Sequence, residues 1–355
     1  MSGMLSRSER LTIVAAAIGC AVVGALTVVQ AGSVLRFAGA GVALALLATV
    51  VGQATERLGE RLGPGATGVL QSALGNLPEL FVCIFALRAG LIEVVQASLV
   101  GSILGNSLLV LGLAFFVGGV RHGTQRFASE PPRMIATLTL LAVAALALPT
   151  LVHALHTPAE SHAETFSIAC AVVLLIVFAA SIPVALHGGP SALPSAGTEE
   201  DGAWPVWLAA AVLAGAGIGA ALVSDWFVAA LRPAAATLGV SEAFTGLVVV
   251  GIAGNAVENV VGIQMAARNK PDFAVSLILN SSLQVALVLA PALVLLSFVL
   301  GGAHLTLVLP GLLVAALGLA GVLGAFVVYD GESNWLEGLV LIGLYGMIAT
   351  AFWWG

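Results

Sequence analysis

Two acidic residues lie deep within apolar stretches of the sequence, each at the end of a similar short motif. GNLPE at 75–79 ends in Glu79, and GNAVE at 254–258 ends in Glu258, 179 residues later. The other acidic residues lie in polar intervals or within about a turn of the end of an apolar stretch. Because a carboxylate is costly in an apolar medium, an acid at such depth faces the protein interior, pairs with another group or lies on an ion path.

The polar residues around the two acids recur with the same spacing. Asn76 and Asn255 precede the acids by three residues, on the same face of a helix, and Ser102 and Ser281 each follow by 23 residues. Carboxylate, amide and hydroxyl oxygens suit a hard cation such as calcium. Burial and a neighbouring like charge favour the protonated acid, whereas a bound cation favours the carboxylate, so we predict a site where protons and a cation compete. The alternative, two permanently protonated acids that only bind the asparagines, leaves the duplication unexplained.

Further polar and irregular features surround the first motif. Ser98, Ser102 and Asn106 recur at every fourth residue and form one polar stripe on an apolar helix. Pro78 within a helix would free the carbonyl of Leu74, and irregular backbone at membrane depth is tolerated beside a cavity. Ordinary hydrogen bonding between helices and a packing kink are the alternatives for the serines and for Pro78.

The elements that carry these residues must cross a membrane. The 355-residue chain is 60% hydrophobic and 8% charged, against about 25% charged residues in soluble domains, which excludes a soluble globular protein. A net charge of -6 without a basic stripe excludes nucleic acid as a partner. Eleven apolar runs are long enough to cross a bilayer: about 11–29, 35–55, 66–88, 94–118, 133–150, 165–186, 206–231, 243–267, 272–299, 304–328 and 336–354.

The basic residues predict the orientation of these spans, because lysine and arginine near span ends stay in the cytoplasm. With the N-terminus in the cytoplasm, three basic residues face outward: Arg36, Arg88 and Arg232. Nine face inward: Arg7, Arg10, Arg57, Arg61, Arg121, Arg126, Arg133, Arg268 and Lys270. The C-terminus is then expected outside, and the location is expected to be the inner (cell) membrane of a bacterium.

The fold class expected is an all-α integral membrane protein with about eleven transmembrane helices. Residues 1–32 form an extra N-terminal helix, 33–186 a first five-helix repeat, 187–205 a cytoplasmic acidic linker, and 206–355 a second repeat. An odd number of spans in each repeat places the two repeats in opposite orientations.

Long stretches around both motifs resemble the calcium/cation antiporter superfamily, most closely its proton-coupled calcium exchanger branch. The first stretch, at 73–112, reads ALGNLPELFVCIFALRAGLIEVVQASLVGSILGNSLLVLG. The second, at 246–289, reads GLVVVGIAGNAVENVVGIQMAARNKPDFAVSLILNSSLQVALVL. The resemblance implies ten core helices in two inverted repeats plus one extra helix, and exchange of calcium for protons.

The resemblance also implies particular site residues. The central carboxylates fall on Glu79 and Glu258, and these two are the metal ligands expected. The motif amides fall on Asn76, Asn255, Gln96 and Gln284. The chain departs from the pattern with Asn259 in place of a common histidine, Asn280 in place of glycine, Gly105 in place of serine, and Arg232 in place of an acid.

The function expected is therefore secondary active transport by alternating access, with calcium and protons as the transported species, membrane lipid as the surroundings and no cofactor. Sodium or potassium exchange for protons on the same fold is the close alternative, and an intramembrane enzyme or a channel are the remote ones. Glu56 and Asp225, near span ends, are candidates for attracting cations at the two entrances. His153, His156 and His162 share the predicted external loop, where a solvated loop is favoured over a pH sensor or metal site.

Overall fold

The computed structural model describes residues 5–62, 74–128, 130–186, 204–301 and 303–354. Nearly all of this backbone is helical, which confirms the all-α expectation. In chain order the helices are α1 (Arg7–Val28), α2 (Ser33–Leu62), α3 (Leu77–Arg88), α4 (Ile92–His122), α5 (Glu130–Ala154), α6 (Ala163–Leu186), α7 (Val206–Leu238), α8 (Glu242–Gly254), α9 (Ala256–Ala267), α10 (Pro271–Leu300), α11 (Gly311–Val327) and α12 (Trp335–Ala351).

Helices α4, α8 and α10 each contain a π-helical stretch, at Gly105–Val110, Thr245–Val250 and Val285–Leu289 respectively. The α-helical pieces around these stretches are Ile92–Leu104 and Leu111–His122, Glu242–Phe244 and Gly251–Gly254, and Pro271–Gln284 and Ala290–Leu300. The stretches in α4 and α10 follow Ser102 and Ser281 within about one turn, at corresponding places in the two halves. Such π-bulges are frequent at functional sites.

A short 3-10 helix and one pair of strands complete the described elements. A 3-10 helix, Pro158–His162, precedes α6. Strand β1 (Gln125–Arg126) pairs antiparallel with β2 (Glu332–Ser333), with Gln125 opposite Ser333. The pair ties the loop after α4 to the loop before α12.

Several helices are long and apolar enough to cross a bilayer. Within the described residues these are α1, α2, α4, α5, α6, α7 and α10, and the bent pair α8–α9 would add one more. The shorter α11 and α12 are also apolar. The predicted third span, 66–88, begins outside the described residues. Most of the predicted linker at 187–205 also lies outside them. The number of eleven crossings therefore stays a prediction.

The first helices of the two predicted repeats, α2 and α7, pack against each other in opposite directions. Ala54 near the end of α2 clusters with Leu208 at the start of α7, whereas Phe37 near the start of α2 stacks on Phe227, with ring centroids 4.6 Å apart. Small residues such as Ala40 and Ala220, both fully buried, let helix backbones approach closely in a membrane.

The fourth helices of the repeats, α5 and α11, are antiparallel as well. Arg133 at the start of α5 donates to the carbonyl of Tyr329 beyond the end of α11, and Leu140 lies against Gly321. Leu309 N, just before α11 begins, donates a hydrogen bond to Thr150 Oγ1 near the end of α5. Corresponding helices of the two halves thus run in opposite directions, as the inverted repeat requires.

The extra N-terminal helix α1 is fastened to both halves by one buried carboxylate. Glu9, 7% exposed, accepts hydrogen bonds from Arg57 Nε of α2 at 2.9 Å and from Trp204 Nε1, just before α7, at 3.2 Å. Ser6 N donates to the same carboxylate and completes a capping box. The outer face of α1 is apolar and open, with Leu11 63% exposed, as expected of a surface that contacts lipid.

The structure corrects the predicted span 304–328 at its beginning. Helix α11 begins at Gly311, and residues 304–309 are extended. The segment alternates between buried leucines, Leu305, Leu307 and Leu309, and less buried residues. The alternation of His304 and Thr306 with leucines is too short to separate an extended chain from the beginning of an apolar helix by pattern alone.

Candidate ion-binding site

Each acidic motif lies at a turn or break that directly precedes a helix. In the first half, a turn at 75–76 precedes α3, which begins at Leu77. In the second half, α8 ends at Gly254 and α9 begins at Ala256, and the two helices meet at 63°. Pro78 therefore lies in the first turn of α3 rather than inside a continuous helix as predicted, a position that proline tolerates.

Each acid is the third residue of the helix that follows its break, Glu79 in α3 and Glu258 in α9. The preceding residues, Asn76 and Asn255, adopt similar backbone angles, with φ -93° and -107°. The exposed N–H groups of a helix N-terminus carry partial positive charge, which favours an anionic carboxylate. The breaks therefore place two carboxylates at helix N-termini within the protein.

Glu79 is enclosed and held by one strong hydrogen bond. The residue is 1% exposed, and Ser102 Oγ donates to Glu79 Oε1 at 2.5 Å. The other oxygen, Oε2, is buried and has no hydrogen-bond partner in the described part of the chain. A methyl group at Gly254 would lie 3.4 Å from this oxygen, so the second motif packs directly on the first acid.

The surroundings of Glu258 differ from those of Glu79. Glu258 is 9% exposed. Ser281, the counterpart of Ser102, donates to Asn255 Oδ1 at 3.1 Å instead of to the acid. Asn255 is fully buried, and its amide donates to the carbonyl of Gly251 at 3.0 Å. The duplicated residues therefore meet in both halves but with different hydrogen-bond partners.

Asn106 of α4 joins the first half to the second motif. Its Nδ2 donates to Ser281 Oγ at 2.9 Å and to Asn255 Oδ1 at 3.2 Å. Its Oδ1 is buried, and no hydrogen-bond partner lies among the described residues. One turn earlier on the polar stripe is Ser102, which holds Glu79. The stripe on α4 thus contacts both acidic motifs.

A small cavity adjoins Glu79. Its volume is about 10 Å³, close to the lower limit for one water molecule. The lining residues are Leu44, Pro78, Glu79, Val82, Phe227, Val250, Ala253 and Gly254. Both motifs and the pair α2–α7 therefore border one space of the size that a single small species fills.

Glycines bring α4 and α8 into backbone contact beside this space. A Cβ at Gly101 would overlap the carbonyl oxygen of Leu247, and one at Gly251 would lie 2.7 Å from the carbonyl carbon of Gly101. A Cβ at Gly246 would approach the carbonyl of Val94 to 2.6 Å. Because no side chain fits at these positions, the crossing fixes the distance between Ser102 on α4 and the break that follows Gly251 on α8.

The comparisons with known proteins cover nearly the whole chain. The profile of the sodium/calcium exchanger protein family matches residues 32–186 and 208–354. The chain belongs to this family. The Ca(2+)/H(+) antiporter of Synechocystis sp. is 36% identical over 333 residues, covering 88% of this chain and 89% of the relative. Ca(2+)/H(+) antiporter ChaA of Bacillus subtilis is 36% identical over 345 residues, covering 96% and 97%.

The fold is shared with solved members of the exchanger family. The structure of native YfkE superposes with a TM-score of 0.82 at 32% identity, covering 96% of this chain and 99% of the other. The sequence-based resemblance and the integral membrane fold class are thereby confirmed.

The two predicted site glutamines, Gln96 and Gln284, lie in different surroundings from Asn76 and Asn255. Gln96 is 5% exposed, but its Nε2 donates to the carbonyls of Thr306 and Val308, both at 3.0 Å, in the extended segment 304–309. Its amide nitrogen therefore binds segment 304–309. Gln284 is half-buried at the start of the π stretch in α10, three residues after Ser281. The structure thus brings six predicted site residues to the two breaks and connects Gln96 to another element.

The two predicted entrance acids are both exposed. Glu56 lies near the end of α2, as expected. Asp225 lies inside α7, because this helix continues to Leu238 instead of ending near 231. At about 1.5 Å per residue, Asp225 is about 20 Å from that end. Two residues further along α7, Phe227 borders the cavity at Glu79, so Asp225 is closer in depth to the site than the sequence indicated.

Asn106 belongs to the predicted polar stripe on α4 but not to the predicted site residues. The spacing of four residues between Ser98, Ser102 and Asn106 was the sequence signal that indicated it. The contact of Gly254 with Glu79 had no sequence signal beyond the glycine itself. Among the described residues, no group of three or more His, Cys, Asp or Glu side chains is placed to hold a metal ion.

Proposed function

We propose that this chain exchanges calcium for protons across a membrane, as a transporter and not an enzyme. The observation that carries the proposal is the arrangement of Glu79 and Glu258, two buried acids at matched helix breaks of oppositely directed halves. Relatives that match most of the chain at 36% identity are named Ca(2+)/H(+) antiporters. Two acids that can hold either one divalent cation or protons supply the chemistry such exchange needs.

The cation and the protons compete for the same oxygens. Ionised Glu79 and Glu258 together neutralise the charge of one calcium ion, and oxygens of Asn76, Asn255, Ser102 and Ser281 can complete its shell of six to eight ligands with water. The buried Oδ1 of Asn106 is a further available oxygen. In the absence of calcium, protons neutralise the two acids, because an uncompensated buried charge is costly.

Exchange becomes obligatory if the site can open to the other side of the membrane only when calcium or protons neutralise the charge of the two acids. The α2–α7 pair borders the cavity through Leu44 and Phe227, and we propose that movement of this pair against the repeats opens the site to either side in turn. The proposed organisation remains an extra helix at 1–32, repeats at 33–186 and 206–355, and a linker at 187–205. Exposed Glu56 and Asp225 are proposed to attract cations toward the site.

Transport in everted membrane vesicles tests the proposal. Vesicles with an acidic interior should accumulate calcium and lose protons, and Glu79→Gln or Glu258→Gln should reduce both fluxes to background. Glu93→Gln is the matched control, because Glu93 is exposed in the first turn of α4. Unchanged exchange in both site variants would overturn the proposal. Proton flux that follows sodium or potassium but not calcium would select the alternative substrates.

The location proposed is the bacterial inner (cell) membrane, with the N-terminus in the cytoplasm and the C-terminus outside. The nine inward and three outward basic residues support this orientation. A reporter enzyme fused to the C-terminal end should be active only outside the cell, and the same reporter inserted at 187–203 only in the cytoplasm. Cytoplasmic activity of the C-terminal fusion would contradict the eleven-span topology.

A further inference from the structure

The C-terminal end of α9, the helix that carries Glu258, is capped by its own backbone. Asn269 N donates to the carbonyl of Ala266 at 3.0 Å, and Lys270 N donates to that of Met265 at 2.9 Å. Asn269 has a positive φ of 59°, as the residue beyond a helix end often has in this Schellman arrangement. The last carbonyls of α9 therefore form a fixed, partially negative surface about 12 Å from Glu258 along the helix.

One buried glutamine from the loop after α4 binds this end of α9. Gln125 is 2% exposed, and its Nε2 donates to the carbonyl of Ala266 and to Asn269 Oδ1, both at 3.0 Å. The charged residues of the turn, Arg268 and Lys270, are exposed. The buried contact is therefore made by a neutral amide whose donors face the partially negative end of the helix.

Gln125 is itself held in place by its neighbours. Its backbone pairs with Ser333 of β2. A Cβ at Gly118 of α4 would overlap Gln125 Oε1 and lie 3.3 Å from the carbonyl oxygen of Ala266. Because Gly118 has no side chain, the amide of Gln125 fits between α4 and the end of α9.

Two further contacts fasten the same turn to the chain at the end of α4. His122 Nε2 lies 2.9 Å from the carbonyl oxygen of Ala267. Ala128 N donates to Asp272 Oδ1, in the first turn of α10, at 2.7 Å. Both of these contacts are exposed, whereas the hydrogen bond from Gln125 to the end of α9 is buried. A hydrogen bond is stronger away from water, so we expect Gln125 to contribute most to the position of this end.

Helix α9 is thus fastened to α4 at both ends. At its beginning, Asn255 Oδ1 accepts a hydrogen bond from Asn106 of α4 at 3.2 Å. At its end, the carbonyl of Ala266 accepts from Gln125, which directly follows α4 in the chain. The same helix α4 binds Glu79 through a serine. The positions of both acids therefore depend on α4.

We propose that Gln125 is a positioning residue for the ion site: by holding the C-terminal end of α9, it sets the position of Glu258 relative to Glu79. This role rests on the proposed function. A calcium ion needs both carboxylates at the same time and within a narrow range of distances, whereas a proton binds to one carboxylate. Displacement of α9 therefore lowers the affinity for calcium, while both acids keep their ability to bind protons.

Calcium binding to the purified full-length protein in lipid nanodiscs tests this role. Gln125→Met keeps the length of the side chain and removes both donors. The dissociation constant for calcium should rise about five- to tenfold, the factor that one or two lost neutral hydrogen bonds allow. The number of calcium ions bound per protein and the protons released per calcium ion should stay unchanged. Fewer calcium sites at an unchanged dissociation constant would indicate a general loss of folded protein and would overturn the positioning role.

A second variant and a matched control sharpen the test. Asn269→Gly removes one of the two acceptors and keeps the positive φ, which glycine adopts readily. The dissociation constant should then rise about two- to fourfold. Gln264→Met is the control, because Gln264 is exposed on the same helix, and its dissociation constant should equal that of the unaltered protein.

The same measurements distinguish this role from the proposed function. Calcium binding with the same dissociation constant in Gln125→Met as in the unaltered protein would reject the positioning role and leave the proposed function standing. An equal rise in Gln264→Met would also reject it. Absence of calcium binding in the unaltered protein would reject the proposed function, and the role of Gln125 with it.

Discussion

Glu79 and Glu258 occupy matched positions in the two halves but differ in their contacts. Glu79 is 1% exposed and accepts a 2.5 Å hydrogen bond from Ser102, whereas the corresponding Ser281 binds Asn255. A hydrogen bond donated to a carboxylate stabilises its ionised form. We therefore expect Glu79 to be the better prepared of the two acids to hold a cation, with Glu258 joining as the ligands rearrange.

Ser102→Ala tests this difference. Without the donor, the ionised form of Glu79 loses a bond to a charged group worth about 1.5–3 kcal/mol, so calcium competes less well with protons. The calcium concentration for half-maximal exchange should rise about tenfold or more, with the largest effect at low pH. Transport measured over a range of calcium concentrations and pH values checks this. Ser181→Ala is the control, since Ser181 Oγ donates to the carbonyl of Phe178 within its own helix. Equal shifts in both variants would contradict the role of Ser102.

At this scale the sequence predicted the duplicated residues but not all of their partners. Glu79, Glu258 and Asn255 could be found because intramembrane polar residues are rare and these recur at one offset. Gln96 belongs to the same motif stretch, yet its amide nitrogen binds segment 304–309. Spacing along one helix indicates which face a residue shares, but not which element packs against that face.

The helix breaks follow from a Gly-Asn pair more than from proline. The break at 254–256 contains no proline, and the first break has Pro78 only after the helix has restarted. A break at depth leaves backbone groups free to face a cavity. The π stretches of α4, α8 and α10 had no sequence signal, because neither their apolar residues nor the few polar ones among them, such as Asn106 and Thr245, distinguish a π-helical turn from an α-helical one.

Gly101→Ala tests the α4–α8 crossing as an element. The new methyl group would overlap the carbonyl oxygen of Leu247 and separate the helices, at a cost of about 1–3 kcal/mol for overpacking. We expect a lower thermal unfolding midpoint and reduced exchange. Gly105→Ala, one turn along α4, meets nothing within 4 Å and should leave both nearly unchanged. A tolerated Gly101→Ala would show that the crossing does not need backbone contact.

For the whole molecule, the inverted arrangement was predictable, and the way its parts are joined was not. The motif offset and an odd span count implied opposite halves, and the antiparallel pairs α2–α7 and α5–α11 agree. Glu9 joins α1 to Arg57 and Trp204 across long sequence separations. Acids at helix ends have many possible partners, so no local pattern identified that contact.

One site in the molecule is expected to hold either calcium or protons, and proton release on calcium binding tests this most directly. Ligand carboxylates must lose protons to bind a metal. Calcium is added to the purified protein in weakly buffered solution, at a pH low enough that both acids are protonated. Up to about two protons should be released per calcium ion bound. Glu93→Gln should release the same number, and the double variant Glu79→Gln/Glu258→Gln should release none. Two results would contradict this expectation. One is calcium affinity that stays the same at every pH with no proton release, and the other is undiminished proton release from the double variant.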